Sequence, residues 1–175
     1  TLCLYLVECS EICAVKAAFQ TAILYVESGL GLLVEEGRDD HWTKSNYPVL
    51  VRAYLQLAKM KLACGQVEDA HTSCDAVMDH ATTLKDRIPA VQLHIQLLMV
   101  ESRYPEALEC AIQSLDELEE ALPQHGGTEE IIDREIHKLR NILNAKDNHE
   151  LLHPPKMTDK KTLDIMSMLG SLTEI

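Results

Sequence analysis

The sequence has few of the residues that β-rich proteins need. Of its 175 residues only 7 are Gly and 6 are Pro, and aromatic residues make up 4%. β-Sandwiches and barrels require turn residues at short intervals and strands rich in aromatic and β-branched side chains. The chain is instead rich in Leu, Ala and Glu, which favour helices, and 46% of it is hydrophobic. The composition therefore predicts an all-α protein with a packed core.

Basic residues and long apolar runs are also scarce. The 16 Lys and Arg residues face 28 Asp and Glu residues, so the formal net charge is -12 at pH 7. A protein that neutralises nucleic-acid phosphates needs a basic face, so we expect no nucleic-acid partner. With no bilayer-length apolar run and no signal peptide, we expect no membrane partner and a cytoplasmic location. The chain does not begin with Met, and we expect a segment of a larger protein.

Cysteine pairs at CxxC spacing are absent, although the chain has six cysteines. They are Cys3, Cys9, Cys13, Cys64, Cys74 and Cys110. Most lie within helical patterns, which indicates free thiols in a reducing compartment. Cys9 and Cys13 are four residues apart, and with Cys3 or His41 they are a candidate metal or redox site. We favour the alternative, in which they pack as small hydrophobic residues.

Three stretches of the chain share one spacing of small and larger apolar residues. The aligned residues are Phe19, Ala22, Val26 and Gly29, then Gly65, Val67, Ala70, Cys74 and Val77, then Ser102, Tyr104, Ala107, Ala111 and Ser114. In the helix before Gly65, the packing residues are Tyr54 and Ala58. A small residue is expected where two antiparallel helices approach closely, so the pattern resembles the tetratricopeptide repeat, a helix-turn-helix of 34 residues.

This spacing predicts an antiparallel helix-hairpin array, a tetratricopeptide-like α-solenoid, over residues 1–128. The predicted units cover about 2–36, 48–85 and 89–123. Residues 129–175 are predicted to form C-terminal capping helices joined by a Pro-containing connector. The last helix is expected to begin after Thr158 as its N-cap.

The order of these features resembles the helical region of large predicted-ATPase signalling proteins. Its matching stretches are 18–33, 42–84 and 104–123, together with Leu-Leu-His-Pro-Pro-Lys-Met-Thr-Asp at 151–159, which is similar to a Leu-Pro-x-Met-Thr-Asp turn of that family. There, a serine/threonine kinase domain and an AAA-type ATPase precede the helical region, and sensor domains with a histidine kinase or cyclase often follow. The resemblance implies a non-catalytic interaction and regulatory segment without a cofactor, whose partner is a protein or a neighbouring domain.

One string in the sequence matches the zinc-protease motif HExxH. It consists of His149, Glu150 and His153, with Glu174 as a possible third ligand. The chemistry needs both histidines on one helix face and the glutamate as general base. Pro154 pushes His153 away from helical geometry, so we expect a chance match and no metal site, with a zinc metalloenzyme as a remote alternative.

The remaining candidates are dispersed charges and histidines. His71, His80 and His94 are scattered over two units, and we expect them to form no nucleophilic site and to be hydrogen-bonded or solvent-facing. Residues 101–135 carry a net charge of -9, whereas residues 137–161 carry +3. These charges indicate either solvated helix faces or a selective contact surface at Asp116, Glu117, Glu119 and Glu120.

The alternative to an interaction and regulatory segment is a sensor domain that binds a small-molecule effector.

Overall fold

The computed structural model describes residues 2–33, 42–118, 129–147 and 156–172. Within these ranges the chain forms only α-helices, which confirms the predicted all-α class. They are α1 (Leu2–Val15), α2 (Phe19–Gly31), α3 (Tyr47–Ala63), α4 (Val67–His80), α5 (Leu84–Val100), α6 (Tyr104–Glu117), α7 (Glu129–Asn144) and α8 (Lys160–Leu172). None of the helices in these ranges combines the length and apolarity needed to cross a membrane.

The first six helices form three consecutive hairpins. Each helix from α1 to α6 packs against the next one in the chain, and α3 also contacts both α1 and α5. The last helix, α8, packs against α6 and α5, and its Met168 is fully buried there. The described side chains of α7 are exposed.

The three hairpin turns share one backbone conformation. Ala17, Gly65 and Ser102 each have a positive φ, of 57°, 75° and 61° respectively. In each turn the N–H of the following residue donates to the carbonyl oxygen five residues before it, at 2.9, 2.8 and 2.8 Å. This is the Schellman arrangement, which satisfies helix-terminal carbonyls through a residue in the left-handed region. The same turn therefore closes all three hairpins, with a glycine in only one of them.

Small residues recur at the same distance after each turn. Ala22, Ala70 and Ala107 stand five residues after the left-handed residue, and none has any exposed surface. A Cβ atom at Gly29 would lie 3.3 Å from Leu6 Cβ and 3.4 Å from Cys3 Sγ, so α1 and α2 approach each other closely there.

The other aligned packing residues are distributed between the core and its margin. Val26, Cys74 and Ala111 are fully buried, as is Ala58 on α3. Phe19 and Tyr54 are half-buried and pack beside the core cluster that joins α1, α2 and α3. Tyr104, in contrast, is 45% exposed.

Two helix starts differ from the sequence prediction. α5 begins at Leu84, five residues before the predicted start at Pro89, because the Thr83 hydroxyl accepts a hydrogen bond from the backbone N–H of Asp86 at 3.3 Å. Pro89 lies in the second turn of α5, where it removes one backbone hydrogen bond without ending the helix. The predicted N-cap Thr158 is wrong by one position, since Asp159 Oδ2 accepts from the backbone N–H of Thr162 at 2.9 Å.

Candidate functional site

An open groove runs along the outer side of α6. Three apolar residues, Pro105, Leu108 and Ile112, line it at helical spacing, and Glu109, Gln113 and Asp116 complete its lining. Its volume is about 470 Å³. Leu108 is 42% exposed and Ile112 is 38% exposed, so both offer apolar surface to a partner. We call this surface the α6 groove.

The α6 groove lies where the earlier hairpins receive a covering helix. Leu108 directly follows the buried alanine of its hairpin, as Ile23 and His71 do in theirs. Ile23 is only 5% exposed and belongs to the cluster that includes α3 residues. On α6, helix α8 packs against the end of the helix, in the cluster with Leu115 and Leu118. It does not cover Leu108, which stays exposed.

The predicted acidic contact surface is divided by the structure. Asp116 is exposed and lines the α6 groove. Glu117 forms an ion pair with Arg87 of α5, at 3.1 Å between Oε2 and Nη1. Glu119 and Glu120 lie outside the described residues. Of the predicted surface, only Asp116 is placed in the α6 groove.

A second cavity lies where α8 meets the third hairpin, and we call it the α5–α8 pocket. Its volume is about 430 Å³. Its lining residues are Leu84, Lys85 and Ile88 of α5, Glu117 and Leu118 at the end of α6, and Lys160, Lys161 and Asp164 of α8. Ile88 and Leu118 are each 3% exposed, so the floor of the pocket belongs to the core, whereas the three lysines are exposed at its rim.

Two histidines that are far apart in the sequence meet between the second and third hairpins. The rings of His71 on α4 and His94 on α5 are 5.1 Å apart in an edge-to-face arrangement. Within the described residues, His71 Nε2 and His94 Nδ1 are buried without a hydrogen bond. His80 lies elsewhere, stacked on Trp42 at 4.5 Å. We call His71 and His94 the histidine pair.

Charged residues from the α5–α6 turn surround the histidine pair. Glu101 Oε2 lies 3.3 Å from His71 Nε2, without the alignment of a hydrogen bond. Arg103 forms ion pairs with Glu101 at 3.0 Å and with Glu106. Burial, together with the nearby His71, lowers the pKa of His94. The hydrogen bond from Arg103 lowers the pKa of Glu101. Burial therefore favours the neutral imidazole of His94, which lies beside a network of charges.

Burial keeps the thiols of three cysteines in their protonated form. All six are free thiols. Burial raises the pKa of Cys74 to about 12 and also raises the pKa values of Cys3 and Cys110, which disfavours the nucleophilic thiolate. No three His, Cys, Asp or Glu side chains in the described part of the chain are arranged to hold a metal ion. The residues of the HExxH string, His149, Glu150 and His153, lie outside that part.

No protein-family model, curated protein or solved structure matches the chain. The resemblance to the helical region of signalling ATPases therefore stays a prediction from sequence. The candidate surfaces are therefore argued from the structure alone.

Sequence reasoning missed two of these features for different reasons. In the repeat alignment His71 takes the position of Ile23, and His94 takes the position of Leu57, so the alignment itself contained the signal for the histidine pair. The α5–α8 pocket had no such signal. It depends on which helix packs against α5 and α6 after a long connection, and local patterns do not specify that choice.

Proposed function

We propose that this chain is a non-catalytic protein-interaction segment built as a tetratricopeptide-like array of helical hairpins. The observation that supports the array is the repeated turn. Each of the three hairpins has a residue in the left-handed conformation at its turn, the same turn hydrogen bond and a fully buried alanine five residues later. Stacked hairpins of this kind bury a continuous seam and leave extended faces for partners.

The α6 groove is the proposed contact face, and its occupant is an amphipathic helix with a basic rim. Leu108 and Ile112 offer an apolar stripe at the spacing that a partner helix reads. Glu109 and Asp116 place negative charge beside that stripe, so lysine or arginine side chains flanking an apolar helix face would complement it. Arg87 already pairs with Glu117, which leaves the charge of Asp116 outside that ion pair.

The proposal includes the parent protein that the resemblance implies, a multidomain signalling ATPase or kinase. In it, partner binding would bias how neighbouring domains dock, as a shift between existing conformations. This part rests on sequence resemblance alone. Reading the coding sequence upstream of Thr1 tests it, because an upstream region without ATPase or kinase motifs would remove the signalling role and leave the α6 groove untouched.

The contact face can be tested with a designed helical peptide. A labelled amphipathic Leu–Lys peptide is titrated with the protein by fluorescence anisotropy, beside a peptide in which Glu replaces every Lys. We expect binding of the Lys peptide only, and Asp116→Lys should weaken it about fivefold through the lost charge complementarity. Ile112→Gln should weaken it about tenfold by removing an apolar anchor.

The preceding hairpin offers a matched control for this test. Asp79 on α4 is exposed and stands at the position that Asp116 holds on α6. Asp79→Lys makes the same change in net charge away from the α6 groove, so it should leave affinity within about twofold because exposed charges at a distance are screened. Equal weakening by both variants, or equal binding of both peptides, would contradict the proposed contact face.

A further inference from the structure

The α5–α8 pocket has the composition of a binding site for a small amphipathic anion. Leu84, Ile88 and Leu118 give it an apolar floor, and lysines from two separate helices stand at its rim. Its volume of about 430 Å³ lies within the range of small-molecule sites, which combine mostly apolar walls with a few polar groups. Among the residues that the structure describes, it shares no lining residue with the α6 groove.

The charges at the rim favour an anion. Lys85, Lys160 and Lys161 line the pocket together with the acids Glu117 and Asp164. The carboxylate of Glu117 is engaged by Arg87, with both of its oxygens within 3.3 Å of Arg87 Nη1. Within the described residues, neither Lys85 nor Lys160 makes an ion pair. The lining therefore carries more positive than negative charge although the whole chain carries -12.

We propose that the α5–α8 pocket binds a single-chain amphiphile with a carboxylate head group, whose hydrocarbon part lies on Leu84, Ile88 and Leu118. The carboxylate would accept charge-assisted hydrogen bonds from Lys85 on α5 and Lys160 on α8. This inference is independent of the proposed partner at the α6 groove. It gives the small-molecule sensor, the alternative function, a definite site and a ligand class.

A ligand bound in this pocket would affect how α8 packs against the third hairpin. The lining comes from two parts of the chain, the α5–α6 hairpin and α8. Met168 and Ile165 of α8 pack in the same cluster as Ile88 and Leu118. A molecule that touches both parts binds the docked arrangement of α8 better than an undocked one, so binding stabilises the docking of α8.

The test uses decanoate below its micelle concentration, with decanol and decylamine as probes of equal chain length. Calorimetric titration of the full chain should show saturable binding of decanoate, with decanol and decylamine at least tenfold weaker. The double variant Lys85→Gln, Lys160→Gln should weaken decanoate binding about tenfold through the lost charge-assisted bonds. The matched control is Lys44→Gln, Lys59→Gln, which removes two exposed lysines outside the pocket and should leave affinity within about twofold.

Hydrogen exchange on the same samples tests the location. Decanoate should slow amide exchange in α8 and at the start of α5, and leave α1 and α2 unchanged. Equal affinity for decanoate and decanol, unchanged affinity in the Lys85→Gln, Lys160→Gln variant, or protection spread evenly over all helices would each overturn the proposal. None of these outcomes affects the proposed contact face at the α6 groove, because that proposal is tested with the Leu–Lys peptide and with variants of Asp116 and Ile112.

Discussion

The two junctions between consecutive hairpins use the same positions for different chemistry. At the first junction, Ile23 of α2 and Leu57 of α3 are each 5% exposed in one apolar cluster. At the second, His71 of α4 and His94 of α5 stand at the corresponding positions, and each has a buried nitrogen without a hydrogen bond to any described residue. The fold therefore tolerates a polar pair where packing alone would favour an apolar one. The first junction contributes stability at any pH, whereas the second makes stability depend on protonation.

The largest expected effect comes from moving the polar pair to the first junction. Ile23→His with Leu57→His would remove two buried aliphatic side chains and leave imidazole nitrogens without partners. We expect the free energy of unfolding to fall by roughly 4 kcal/mol. Urea denaturation followed by circular dichroism measures it. Leu24→His, at a residue that is 63% exposed, is the control and should cost less than about 0.5 kcal/mol. Equal losses in the two cases would mean that the first junction is not closely packed.

The next prediction concerns pH and the histidine pair. The pKa of His94 is lowered in the folded protein, mainly by burial and then by His71, while Arg103 lowers it and Asp75 and Glu101 raise it. The unfolded chain therefore binds more protons, so the stability from a neutral His94 is complete above about pH 6.5 and is lost as the pH falls through its folded pKa. We expect the midpoint of urea unfolding to decrease between pH 7 and pH 5.

An apolar replacement gives the control for that pH dependence. His71→Ile with His94→Leu should raise the free energy of unfolding by about 1–2 kcal/mol at pH 5, because the unpaired nitrogens and the protonation are both removed. It should also remove the change between pH 7 and pH 5. The change below pH 4.5 should remain, because the carboxylates of Glu101 and Glu106 have lowered pKa values from Arg103. A double variant with the wild-type pH profile would contradict the assignment to the histidine pair.

The smallest effects test whether the hairpins are equivalent. Ala17 and Ser102 hold a left-handed conformation that costs an L-residue about 1 kcal/mol, and Gly65 holds it without that strain. Ala17→Gly and Ser102→Gly should each raise the free energy of unfolding by roughly 0.5–1 kcal/mol, and Gly65→Ala should lower it by a similar amount. Thermal denaturation at pH 7 measures all three. If Ala17→Gly and Ser102→Gly changed the free energy of unfolding in opposite directions, the two turns would not carry the same backbone strain.

The three hairpins could be predicted from sequence because their signals are local. The aligned alanines mark close helix contacts, and each lies within a few residues of its turn. The start of α5 differs from the prediction because Pro89, a residue typical of a first helical turn, lies in the second turn, and Thr83 and Asp86 form the N-terminal cap. The α6 groove and the α5–α8 pocket depend on which surfaces α8 covers, and that packing is decided by contacts between residues far apart in sequence.

The docking of α8 differs in kind from the packing of the hairpins. Roughly 40 residues separate the end of α6 from the start of α8. Closing that connection therefore costs more chain entropy than closing one of the short hairpin turns. A fully flexible loop of this length would cost about 3 kcal/mol, and the helix α7 within the connection lowers that figure. The cost is comparable with what burying Met168 and Ile165 contributes. The attachment of α8 is therefore closer to balance than the packing within the three hairpins. A small input of binding energy at that point can set how often the third hairpin is covered.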